Sequence, residues 1–96
     1  MYIVTVLFKI HAAHHSAFLS AMHSNARTSL ATEAGCHQFD VCEGGDAQSP
    51  EVFLYEVYGS HADFQLHLAA QHFLEFNALT MPWVLDKQVA TFTRNG

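Results

Sequence analysis

The sequence predicts a single α+β domain of the ferredoxin-like kind, with the element order βαββαβ across residues 1–96. Three observations lead there. Four segments alternate their side chains with the period of a strand. Two longer stretches space apolar residues as helices do, one after the first strand and one before the last. And 96 residues that are 50% hydrophobic but only 14% charged can build one core, not two. This composition excludes a disordered chain. No apolar run reaches the roughly 20 residues of a membrane span, and Met1 leads straight into a strand pattern, so no signal peptide is expected.

Tyr2 to Ile10 is rich in β-branched and aromatic residues, with Tyr2, Val4, Val6, Phe8 and Ile10 on one side and Ile3, Thr5, Leu7 and Lys9 on the other. Residues 13–34 then place Phe18, Met22, Ala26 and Leu30 on one helical stripe, with Leu19 beside it, Ser16, Ser20, His23 and Arg27 opposite, and Gly35 as the stop. Cys36 to Glu43 alternates again. Residues 44–50, Gly-Gly-Asp-Ala-Gln-Ser-Pro, read as a loop, and Val52 to Tyr58 is the clearest strand, so the two strands form an antiparallel hairpin. Ser60 with Asp63 has the form of a helix N-cap. That helix runs to about Ala70, a second one begins near Gln71, Pro82 closes the region, and Lys87 to Arg94 is the last strand.

In this fold the helices cover one face of the sheet. The other face would carry Phe, Tyr and Val side chains, too apolar to leave in water, and pairing two sheets face to face would cover it. A homodimer is expected on that ground. Nine acidic residues oppose four scattered cations, Lys9, Arg27, Lys87 and Arg94, so no basic patch for nucleic acid forms. Eight histidines could carry the net charge from −5 to about +3 on acidification. On one strand Cys36 and Cys42 would lie about 20 Å apart, beyond disulfide reach, which fits a reducing, cytoplasmic setting.

The motif Glu33-Ala34-Gly35-Cys36, then Phe39-Asp40-Val41, Phe53-Leu54-Tyr55-Glu56-Val57-Tyr58, and Ser60, Ala62, Phe64, His67 and Gln71-His72-Phe73 resemble the antibiotic biosynthesis monooxygenase superfamily, from about Tyr2 to Arg94. The resemblance implies a dimeric α+β barrel of two ferredoxin-like subunits. It also implies several activities: cofactor-independent oxidation of phenolic polyketides or quinols, haem degradation, or processing of phosphorylated autoinducer-2. The haem branch has an Asn on the first strand, a Trp in the second helix and a His one turn past the His-Phe turn. Here Thr5, the segment Phe64 to Leu68, and Asn77 stand there, which disfavours haem degradation. Polyketide oxygenases of the family often place Asn, Trp and Tyr in the pocket, and Trp83 falls beyond that helix.

Glu56 is the residue most suggestive of chemistry, since a carboxyl among apolar strand neighbours has its pKa raised toward the range of a general base. His67 and His72 would diverge by about 140° on one unbroken helix, but a break at Ala70-Gln71 would let both reach one cavity. The catalytic candidates are therefore Glu56, His67 and His72. Phe39, Phe53, Phe73, Phe76 and Trp83 are the candidates for an aromatic substrate-binding wall. The run His11-x-x-His14-His15 has no carboxylate or thiol close by, so no metal ligands are assigned. No G-x-G-x-x-G, P-loop or H-E-x-x-H motif occurs, which suits a cofactor-free site. The expected partners are a second copy of the chain, a small aromatic molecule and O2. The expected activity is monooxygenation of a quinol or polyphenol. The alternatives are an isomerase resembling the autoinducer branch, with Glu56 and His67 shuttling a proton, and a non-catalytic ligand-binding dimer.

Overall fold

In a computed structural model that describes all 96 residues, β1 (Tyr2–Ile10) leads through a short 3-10 turn (Ala12–His14) into α1 (His15–Thr32). The hairpin β2 (Cys36–Gly45) and β3 (Pro50–Tyr58) follows. Then come α2 (His61–Ala69), α3 (Gln71–Thr80), a second 3-10 turn (Met81–Trp83) and β4 (Val84–Thr93). The four strands form one open antiparallel sheet in the order β2-β3-β1-β4. This is the expected ferredoxin-like α+β fold. All three helices lie on one face.

Strand parity decides what that face presents. Val4, Val6, Phe8 and Ile10 of β1 and Val52, Leu54, Glu56 and Tyr58 of β3 are all buried there. Onto them α1 lays Phe18, Met22 and Ala26, with Phe18 edge-on to Phe8 at 5.1 Å and to Phe76 of α3 at 5.8 Å. Helix α1 is shorter than expected at both ends, and its stripe is rotated. Asn25 and Ser29 are buried, whereas Leu30 is 45% exposed. The reason is that the helix meets α3 as well as the sheet, so the covered arc turns toward the Asn25–Ser29 side.

The hairpin turn is tighter than its composition suggested. β2 runs on to Gly45, which takes φ +71°, and Asp46 Oδ1 accepts from the N–H groups of Gln48 and Ser49 at 3.0 and 2.8 Å. A register shift between Cys36 and Gln38 puts Cys36 beside Tyr58 and Phe39 beside Glu56, so both point into the core. Ser60 caps α2 as expected, its Oγ accepting from the Asp63 N–H at 3.2 Å. Gly35 is required by what it touches: a Cβ there would stand 2.2 Å from Asp63 Cγ.

The apolar surplus does not lie on the open sheet face alone. Ile3 and Val57 are buried there, Phe53 and Phe92 are 38% and 56% exposed, and Leu7 and Tyr55 are half-buried. But Leu66, Leu74 and Leu79 project from α2 and α3, and edge strand β4 exposes Leu85 and Val89. The amphipathic reading missed these because α2 and α3 are short and each buries only one or two side chains. No helix is long and apolar enough to cross a membrane.

Candidate active site

Between the helical face of the sheet and the helices lies a cavity of about 50 Å3. Its floor is Val6, Phe8, Leu54 and Glu56, and its roof includes Met22, Phe64, His67, Phe73 and Phe76. Only Asn25, Glu56, His67 and Lys87 bring polar groups to it.

Glu56 reaches the cavity because β3 alternates: with Val52, Leu54 and Tyr58 facing the helices, position 56 must face them too. It is 3% exposed, and the Tyr58 hydroxyl donates to its Oε1 at 2.5 Å. Burial, the largest influence, pushes the carboxyl up to about 7, with help from the Glu33 charge. The Tyr58 hydrogen bond and Lys87 act the other way. Burial and the neighbouring carboxylate also raise the Tyr58 phenol, so it stays a donor. The thiol of Cys36 is likewise pushed up to about 12, chiefly by burial, and is unreactive there.

His67 sits in the last turn of α2 and is 2% exposed. Its Nδ1 lies 3.0 Å from Glu33 Oε2 and 3.4 Å from Ser29 Oγ, so the Nε2 edge is the one left for a ligand in the cavity. Burial lowers its pKa against the opposing pull of Glu33. The helix break expected at Ala70 is present, with ψ 141° there. It does not, however, bring His72 into the cavity. His72 opens onto a groove between α1 and α3, and its Nε2 meets Glu33 Oε2 at 2.6 Å. The two histidines converge on one carboxylate, not on one pocket.

Of the five aromatic candidates, Phe39, Phe73 and Phe76 line the cavity and two do not. Phe53 has the opposite parity to Glu56, pairs with Leu7 and Cys42, and lies on the open face. Trp83 lies in the 3-10 turn before β4, where its ring stacks on His14 at 5.4 Å and 10°. The first 3-10 turn, Ala12–His14, interrupts the spacing of the His11–His15 run, and His15 instead lies 3.4 Å from Glu43.

The site also contains residues given no role from the sequence. Glu33 ends α1 as its C-cap, and its carboxylate holds both histidines. It was visible only as the first residue of the Glu-Ala-Gly-Cys motif. Asn25 is 5% exposed, borders both cavity and groove, and its Oδ1 has no hydrogen-bond partner. Lys87 places its ammonium 5.5 Å from the Phe8 ring centre, at the cavity's β4 side. Among these groups, Glu33, His67 and His72 offer three ligand atoms within 4.8 Å of one another and could hold a metal ion.

A ferredoxin-like sheet roofed by helices, with a buried acid and a histidine facing one apolar cavity, defines a small-molecule-binding α+β domain. Residues 1–79 match the family model for antibiotic biosynthesis monooxygenase, and the chain belongs to that family. A Nitrosomonas europaea protein named for the same family superposes with a TM-score of 0.89 at 23% identity, covering 98% of both chains. Rv0793 of Mycobacterium tuberculosis gives 0.86 at 22% identity, over 99% of this chain and 95% of its own. PA3566 of Pseudomonas aeruginosa gives 0.86 at 19%, over 99% and 94%. At these identities the likeness is one of fold. No curated protein matches the chain.

Proposed function

We infer that the protein is a cofactor-independent monooxygenase acting on a quinol or polyphenol. Glu56 is the observation that carries this reading: a carboxyl poised near neutrality at the wall of an apolar, aromatic cavity. It takes the proton of a bound phenolic hydroxyl, and Tyr58 steadies the carboxylate that is also the base. The substrate's other hydroxyl donates to the unpartnered Asn25 Oδ1, beside the Nε2 edge of His67. The electron-rich anion passes one electron to O2, and the two radicals combine to a peroxide. Loss of water then leaves one oxygen atom on the ring, so each turnover uses one O2 and releases one H2O. Exclusion of bulk water by the aromatic roof protects these intermediates.

The cavity of about 50 Å3 is small beside the roughly 300 Å3 at the lower end of ligand pockets. Entry of a ring therefore requires the roof side chains to move, and the Ala70 break is where α2 and α3 can part. We place the working unit as a homodimer in the cytoplasm. The sheet face with Phe53 and Phe92 supports the first, and two free thiols support the second. The test is oxygen uptake with a panel of hydroquinones and anthrones. Consumption of one O2 per substrate supports the reading, and no uptake with any member overturns it.

One observation favours a second reading. Lys87 is the only cation at the cavity, and an anionic substrate would pair with it. Glu56 and His67 beside a carbonyl would then serve an isomerase that needs no O2. Turnover that persists under anaerobic conditions would identify it.

A further inference from the structure

We propose that Glu33, His67 and His72, with Ser29 as a fourth donor, form a binding site for a divalent first-row transition-metal ion that ties together the three helices roofing the cavity. The site goes beyond the oxidation proposed above and does not depend on it.

The donors come from the ends of three helices. Ser29 lies in the last turns of α1 and Glu33 is its C-cap, His67 is in the last turn of α2, and His72 is in the first turn of α3. Their atoms nevertheless converge. Glu33 Oε2 is 3.0 Å from His67 Nδ1 and 2.6 Å from His72 Nε2, while Ser29 Oγ is 3.4 and 3.1 Å from the same two nitrogens. With bonds of about 2.1 Å, four ligands around one tetrahedral ion stand about 3.4 Å apart. The Ser29 and His67 separations are within about 0.4 Å of that value, and the 2.6 Å Glu33–His72 contact must open by about 0.8 Å.

Each imidazole nitrogen can present an N–H to Glu33 or, in the other tautomer, a lone pair. With the protons on His67 Nε2 and His72 Nδ1, both nitrogen lone pairs and the Glu33 carboxylate lie within 4.8 Å of one another and can share one cation. Two imidazoles and one carboxylate suit Zn2+ and its first-row neighbours better than Ca2+ or Mg2+, which favour all-oxygen shells. His72, which borders the open groove, provides a route by which an ion enters. Because His67 uses Nδ1 here, the ion would lie behind its ring as seen from the cavity. It would fix the roof and take no part in the oxygen chemistry.

The experiment is a titration of chelator-treated protein with Zn2+, followed by calorimetry and thermal melting, and with Co2+, followed by visible absorption. The proposal expects one saturable ion per chain, a raised melting temperature and a Co2+ ligand-field band. Glu33→Gln and His72→Ala should each weaken binding at least tenfold. A His11→Gln/His14→Gln/His15→Gln variant should bind as the parent does. Should Glu33→Gln fail to fold, the His72→Ala variant, at a partly exposed position, decides alone. Absence of saturable binding, affinity unchanged in His72→Ala, or binding that disappears with the N-terminal histidines would each overturn the site.

Discussion

Burial of Glu56 makes the stability of the whole protein depend on pH in a definite direction. Its folded pKa of about 7 lies above the ordinary 4.5, so between those values the unfolded chain releases the proton that the folded one keeps. Stability from this group is intact below 4.5, falls as pH rises through the window, and above 7 is lower by up to about 3 kcal/mol. Glu56→Gln retains an acceptor for Tyr58 and removes the ionisation. Thermal unfolding should find it equal to the parent near pH 4 and more stable at pH 8, while oxygen uptake falls on the order of 100-fold or more. Tyr58→Phe removes a hydrogen bond that favours the carboxylate. The acid limb of the pH–rate profile should then move to higher pH, an effect a mere packing defect would not produce. Glu56 could be read from the sequence because strand parity alone buries it. The same parity excludes Phe53 from the cavity, although its aromatic ring alone suits a substrate wall. Glu33 is beyond such local reasoning, since its role arises where the end of α1 meets two helix ends that lie 34 and 39 residues further along the chain.

At the scale of elements, two residues next to the site set where α2 begins. Ser60 caps it, and Gly35 leaves room for Asp63, the residue whose N–H that cap receives. Ser60→Ala should cost about 1 kcal/mol in a denaturant melt. Gly35→Ala should cost more, about 1–3 kcal/mol, since the Asp63 side chain must move aside. A Gly35→Ala variant as stable as the parent would show that this close contact is not needed. The element order and the α2 cap were legible because alternation, periodicity and capping chemistry are local signals. The covered arc of α1 was not, because α3 packs against it from the side.

For the molecule as a whole, low charge pointed to a hidden surface, and the open sheet face offers one. Phe92→Asp, at a position 56% exposed in the single chain, should leave the fold intact and convert a dimer to a monomer in light scattering. A parent that is already monomeric would refute that assembly. The exposed leucines of α2 and α3 show that composition locates an apolar excess only loosely, since it does not say which face carries it. The proposed chemistry depends on one carboxyl held near neutrality inside an aromatic cavity. The most direct test is a carboxyl-carbon NMR titration of Glu56, its signal assigned by loss in Glu56→Gln. A midpoint near 7 is predicted, and one near 4.5, the value of a carboxyl in water, would contradict the account.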